Sequence, residues 1–91
     1  MPAYKHLNHL WGRGKAFLGC EYPIIGGAMT WVSEANLVAA ISNAGGFGVI
    51  ASGAMPAEIL GDEIKKTKLK TKHSFGVNLI TLNPQIKLLI D

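Results

Sequence analysis

The stretch Tyr22-Pro23-Ile24-Ile25-Gly26-Gly27-Ala28-Met29-Thr30 is a short apolar run that ends in two glycines and a small residue. The aromatic and β-branched residues at 22–25 predict a strand, with Pro23 tolerable near its start. Glycine directly after such a strand lets the backbone turn sharply and lets a ligand approach without meeting a Cβ. Everything downstream then alternates between helical patterns and apolar runs, so this strand and the loop that leaves it set the order of the rest.

Ser33 is a suitable N-cap and Glu34 puts negative charge in the first turn that follows. Ala35, Leu37, Val38, Ala40, Ile41 and Ala44 recur at helical spacing, and Gly45 is placed to close that helix. The run Phe47–Ala51 is apolar without alternation, which predicts a second strand covered on both faces, as in a parallel sheet under helices. After Ser52-Gly53, Pro56 sits where a helix start accepts proline. Ile59, Leu60 and Ile64 form the apolar stripe of that second helix, and Asp62 and Lys66 make an i,i+4 pair. A third strand is expected over 75–80, and a third helix opens at Pro84 with Ile86, Leu89 and Ile90 as its apolar side. Upstream, Leu7, Leu10 and Trp11 give one apolar helical face that Gly12 and Gly14 restrict to a turn or two.

The pattern is βαβαβα. With 91 residues the chain makes one small domain. Residues 1–19 form an N-terminal extension with a short helix, and residues 20–91 hold the three βα units. Three parallel strands do not close a barrel, which takes eight units and about 250 residues. They could equally be half of an open doubly wound sheet. The third strand would leave an unpaired edge in either case. The expectation is therefore the N-terminal piece of a larger domain, through a deliberate truncation, a split gene or a disrupted frame, with a second chain completing the sheet, or a non-catalytic remnant, as the outcomes.

Hydrophobic residues make up 48% of the chain and charged ones 16%, below the roughly 25% of an average soluble domain, which fits elements buried on more than one side. No apolar run reaches the ~18 residues of a membrane span, and no signal-peptide core follows the N-terminal basic residues, so no membrane association is expected. The single cysteine, Cys20, excludes an internal disulfide and fits a reducing, cytoplasmic location. The net charge of +3 comes largely from Lys65, Lys66, Lys68, Lys70 and Lys72. Without interleaved aromatics these lysines read as the solvated end of a helix rather than a nucleic-acid surface.

The candidate chemistry is sparse. Asn43-Ala44-Gly45-Gly46-Phe47-Gly48 invites a dinucleotide-binding interpretation, but its glycines follow a helix and open a strand, the reverse of a phosphate-binding loop. A tight αβ turn suits that order better. The loop Gly26-Gly27-Ala28-Met29 has the right order, leaving a strand at its C-terminal end where α/β folds collect ligands. Without charged groups it offers backbone amides and a thioether to a flat ligand; a plain turn is the alternative. Asn78 interrupts an apolar strand near the same end, and a buried amide left unpaired costs on the order of 1–3 kcal/mol. A ligand carbonyl or ring nitrogen, or a neighbouring backbone group, must bond it. Ser52 and Gly53 complete that rim. His6 and His9 are three apart without a third metal ligand nearby, Cys20 has no base partner and is expected to be a small buried thiol, and His73 lies at the opposite strand end. No catalytic acid, base or nucleophile is evident.

Three spaced motifs, Tyr-Pro-Ile-Ile-Gly-Gly-Ala-Met-Thr-Trp-Val, Ala-Ala-Ile-Ser-Asn-Ala-Gly-Gly-Phe-Gly-Val-Ile and Phe-Gly-Val-Asn-Leu, resemble the start of the nitronate monooxygenase family, formerly 2-nitropropane dioxygenase. That family includes flavin-dependent enoyl-acyl-carrier-protein reductases. The resemblance covers about residues 18–91. It implies an FMN-binding (β/α)8 TIM barrel, of which this chain is the first part. It further implies flavoprotein oxidoreductase activity on a small-molecule substrate, a nitronate or an enoyl thioester. Flavin contacts are implied at Gly27, Ala28, Met29 and Asn78. The family's base histidine and its phosphate-binding loops fall beyond residue 91, so the isolated chain is expected to be inactive. Gly26, Ala28 and Ser74 depart from the residues common in the family, which leaves the subfamily open.

Overall fold

The computed structural model describes residues 2–91. Its elements run α1 (Pro2–Leu10), α2 (Gly12–Leu18), β1 (Ile25–Gly26), α3 (Ala35–Asn43), β2 (Phe47–Ala51), α4 (Ala57–Lys70), β3 (Phe75–Asn78) and α5 (Ile86–Ile90). The three strands are parallel and lie in the order β1-β2-β3, with Ile25 opposite Phe47 and Ala51 opposite Asn78. This sequential order is the one shared by a barrel and by half of a doubly wound sheet.

The first strand is shorter and later than its composition predicts. Pro23 has no N–H, and the Ile24 N–H turns back to the carbonyl of Tyr22 at 2.7 Å. Tyr22 instead donates to Gly45 O at 2.8 Å, in the turn that precedes β2. Regular pairing therefore begins only at Ile25. The third strand ends at Asn78 rather than residue 80 because its partner β2 ends at Ala51; Leu79 and Ile80 leave the sheet 40% and 42% exposed.

Helices α3 and α4 pack on one face of the sheet around Val38, Ile50, Met55 and Leu60, with Ile64, Phe75, Val77 and Leu89 at the margin. Gly48 makes the close fit of α3 on β2 possible: a Cβ there would lie 2.6 Å from Val38 O. The opposite face, carrying Ile25, Phe47, Val49 and Gly76, has no helix over it among the described residues. The expectation of two covered faces for β2 is thus corrected. Its even positions Gly48 and Ile50 are buried while Phe47 and Val49 are only half-buried, because both crossover helices lie on the same side.

Glu34, not Ser33, is the N-cap of α3; its carboxylate accepts from the backbone N–H groups of Asn36 and Leu37. The hydroxyl of Ser33 is engaged elsewhere, as described below. The helix ends at Asn43 with Ala44 as its C-cap, and Gly45 follows with φ +100°, a left-handed conformation that suits glycine. The αβ turn expected there is the one observed.

Helix α4 holds α3 at both ends. Glu63 Oε2 accepts from Ala35 N at 2.9 Å, Asn43 Nδ2 donates to Lys70 O at 3.0 Å, and Thr71 Oγ1 donates to Asn43 Oδ1 at 2.6 Å. The expected Asp62–Lys66 pair is replaced by Glu63–Lys66 at 3.4 Å, since Glu63 is already fixed in place by Ala35 while Asp62 points to solvent. The lysines of α4 and its following loop are exposed, as their pattern suggested.

The N-terminal segment is more helical than expected. Gly12 does not end the helical region but opens α2, which runs to Leu18 and closes on Gly19 with φ +66°. Gly14 lets α2 approach Pro23 closely, since a Cβ there would lie 3.0 Å from the Pro23 Cβ. Trp11 meets Tyr22 edge-on at 6.1 Å. Leu7 and Leu10, the expected apolar face, remain exposed.

Candidate ligand-binding rim

The C-terminal ends of the three strands bring together the first βα loop, Ser52 and Gly53 after β2, and Asn78 at the end of β3. The first loop is shaped by Ser33, which is 2% exposed. Its Oγ accepts from Met29 N at 2.8 Å and donates to Gly27 O at 3.2 Å. The N–H groups of Val32 and Ser33 close on Met29 O at 3.0 and 2.8 Å. At the apex Trp31 adopts φ +61°, an outlier for a bulky side chain, with its indole largely exposed. Beside Gly27 nothing lies within 4 Å of where a Cβ would stand, so the loop backbone faces open space.

Ser33 also ties this loop to β2, because its carbonyl accepts from Ala51 N at 3.1 Å. The next residue, fully buried Ser52, donates its backbone N–H to Asn78 Oδ1 at 2.7 Å, and its hydroxyl donates to Asn78 O. One hydrogen-bonded frame thus runs from Gly27 through Ser33, Ala51 and Ser52 to Asn78. Of the two partners the sequence offered for Asn78, the neighbouring backbone takes its carbonyl end. Its Nδ2 has no acceptor among the described residues.

Two further residues at this rim carry no sequence signal of their own. Asn83 Nδ2 donates to Gly53 O and Met55 O, both at 3.2 Å, and Gln85 Oε1 accepts from Ala57 N at 2.8 Å, capping α4. They lie in a polar loop whose side chains reach across to a neighbouring loop, which periodicity cannot reveal. A cleft of about 390 Å³ opens between these loops, walled by Met55, Pro56, Ile80, Leu82 and Pro84.

The larger cleft, about 620 Å³, lies at the other end, where Lys15, Cys20, Glu21, Asn43 and His73 meet. None of the four residues singled out as ligand contacts lines it. Cys20 there is half-buried and its thiol donates to Tyr22 O at 3.1 Å. His6 and His9 stand exposed on α1, and no group of three or more His, Cys, Asp or Glu among the described residues is placed to hold a metal. No helix among these residues is long and apolar enough to cross a membrane.

Parallel βα units in sequential order, with both helices on one face and glycine loops at the strand ends, define an α/β chain of the kind found both in a TIM barrel and in half of a doubly wound sheet. The profile of the nitronate monooxygenase family matches residues 13–87, and the chain belongs to that family. It is 44% identical over 62 residues to (3aS,4S,5R,7aS)-5-hydroxy-7a-methyl-1-oxo-octahydro-1H-indene-4-carboxyl-CoA dehydrogenase of Mycobacterium tuberculosis, covering 68% of this chain and 18% of that protein. It is 37% identical over 78 residues to a probable nitronate monooxygenase of Staphylococcus aureus, covering 84% and 22%. FabK from Thermotoga maritima superimposes with a TM-score of 0.83 at 41% identity, covering 86% of this chain and 25% of FabK. The chain thus spans about a fifth to a quarter of the length of the relatives it matches, and its match to FabK supports the barrel over the open sheet.

Proposed function

We propose that this chain supplies one wall of a flavin site in an FMN-dependent oxidoreductase of the nitronate-oxidising kind. The observation that carries this is the amide of Asn78, set at the strand end in one hydrogen-bonded frame with the open glycine loop. The residues present fit a flat, heteroatom-rich ring. Gly27 leaves room for close approach, Met29 offers a polarisable thioether 50% exposed, and Asn78 holds a donor without an acceptor among the described residues. FMN, when bound, would supply the electron-accepting chemistry by which an alkyl nitronate is oxidised with O₂. The contribution of this chain would be to place and orient the ring through Gly27, Ala28, Met29 and Asn78. No base for the reaction comes from these residues.

Reduction of an enoyl thioester through FMN is the second activity to weigh, favoured by the FabK match and by a relative named for a CoA-thioester substrate. Either activity uses the same wall and needs further strands, from this polypeptide or a second one, to pair the free edges of β1 and β3. The lone cysteine supports placing the protein in the cytoplasm.

Titrating the ¹⁵N-labelled chain with FMN tests the proposal. Shifts confined to the amides of Gly27, Ala28, Met29 and the Asn78 region are expected. Shifts centred on Lys15, Asn43 and His73 at the opposite end would refute it.

A further inference from the structure

We infer that the N-terminal helical segment docks on an anionic lipid surface. Leu10 and Phe17 enter the interface, and Lys5, Arg13 and Lys15 meet the headgroups. None of these residues belongs to the proposed flavin wall.

The uncompensated charge of the chain is gathered in this segment. Every acidic residue lies at Glu21 or beyond, and there six lysines offset the six carboxylates. The net charge of +3 therefore rests on Lys5, Arg13 and Lys15. The lysines of α4 share their helix with Glu58, Asp62 and Glu63, whereas residues 1–20 hold no acidic side chain.

An apolar line runs along the same segment. The Trp11 N–H donates to Leu7 O and the Lys15 N–H to Trp11 O, both at 3.0 Å, so the helical register passes from α1 into α2. In that register Leu10 and Phe17, two turns apart, fall on one line. Arg13, three residues from the first and four from the second, lies beside it. Both apolar side chains are turned to solvent, 66% and 88% exposed, and Leu7 is exposed as well. None of the three takes part in the core. A basic side chain next to such a line lays its stem along hydrocarbon and keeps its charge among the headgroups.

Trp11 and Gly14 are turned inward instead. Trp11 meets Tyr22 edge-on, and Gly14 lies close against Pro23. This decides between kinds of partner. A protein groove that takes up an amphipathic helix encloses its apolar stripe, and here the domain itself already occupies part of that stripe. A lipid interface needs only the outward line. The absence of a membrane-spanning helix among the described residues leaves this mode open. A helix lying in the interface requires a narrow apolar line with basic flanks, not a long apolar run. The family match begins at residue 13, so α1 precedes the part shared with the family. Lys15 borders the cleft opposite the ligand-binding rim, so a docked segment leaves the rim open.

Co-sedimentation of the full 91-residue chain with vesicles tests the inference. Vesicles of equal parts phosphatidylserine and phosphatidylcholine are expected to pellet it, and pure phosphatidylcholine vesicles to bind it about tenfold more weakly or less. Lys5→Gln and Arg13→Gln together should weaken binding to the anionic vesicles about twentyfold. Phe17→Ser should weaken it about tenfold or more. Lys65→Gln and Lys68→Gln together remove the same charge from the exposed side of α4 and should change binding less than about twofold. No binding to the anionic vesicles, or equal binding to both kinds, would overturn the inference. So would an equal loss from the two double variants, or undiminished binding of a folded Phe17→Ser. Binding to soluble polyglutamate but not to vesicles would assign the segment to an acidic protein instead and overturn it too. Should circular dichroism show Phe17→Ser unfolded, the two double variants, substituted only at exposed positions, decide alone.

Discussion

Gly48 is the position where a single methyl group tests the packing of this fold. Alanine there would place its Cβ 2.6 Å from Val38 O and 3.0 Å from Val38 Cα, both backbone atoms, and 3.0 Å from Val38 Cγ1. A carbon and a carbonyl oxygen at 2.6 Å repel strongly, so α3 would have to lift away from β2. It is not free to do so, because Glu63 holds its first turn and Asn43 its last. Val38 itself is completely buried in the core it would have to leave. Overpacking of this kind costs about 1–3 kcal/mol. The loss of backbone freedom in the unfolded chain returns about 0.4–1 kcal/mol. A net destabilisation of about 1–2 kcal/mol follows, which for a domain of this size lowers Tm by about 5–15 °C. Gly61→Ala is the matched control. It lies within α4 with nothing inside 4 Å of the added Cβ, so helix propensity alone raises stability by about 0.5–1 kcal/mol. Thermal and urea melts followed by circular dichroism measure both. If Gly48→Ala is as stable as the unsubstituted chain while Gly61→Ala behaves as expected, the account of α3 on β2 is refuted.

Ser33→Ala removes two hydrogen bonds inside the first βα loop and is expected to cost about 1–2 kcal/mol, with faster hydrogen exchange at Met29 N as the local sign. Trp31→Gly releases a left-handed strain of about 1–2 kcal/mol against an opposing gain in unfolded-state freedom of about 0.5–1 kcal/mol; because the indole is 60% exposed, stability should change by less than about 1 kcal/mol in a melt. A fall of several kcal/mol would show that the indole is structural. Gln85→Ala uncaps Ala57 N and should lower stability by about 1 kcal/mol, read as increased exchange in the first turn of α4. The chain mixed with FMN and passed through a gel-filtration column should emerge without flavin absorbance, since it carries only part of the proposed site; a yellow monomer would contradict that.

The alternation of βαβαβα was legible because helix and strand patterns differ in period and because glycine and proline mark the joints. The run Phe47–Ala51 was placed to the residue: it lies at the centre of the sheet, where continuous apolarity and pairing coincide. Boundaries failed where a side chain or a missing N–H decided them. Pro23 and the backward bond of Ile24 delayed β1. Glu34 displaced Ser33 as cap because the Ser33 hydroxyl is consumed by the preceding loop. Two covered faces for β2 could not be distinguished from one, because a face awaiting other strands has the same composition as a face already packed. At the rim, Asn78 stood out as a polar residue in an apolar strand. Ser52 drew notice only as a rim residue and its grip on Asn78 did not, since a serine after a strand looks like any turn.

The central claim is that these residues form a wall of a flavin site, and the most direct measurement is flavin content in a barrel that contains them. Replacing the matching quarter of FabK from Thermotoga maritima with this chain gives such a barrel. A folded protein that purifies with FMN and loses it at least in part on Asn78→Ala is expected. A folded but colourless protein, or one whose flavin content is indifferent to Asn78→Ala, would contradict it.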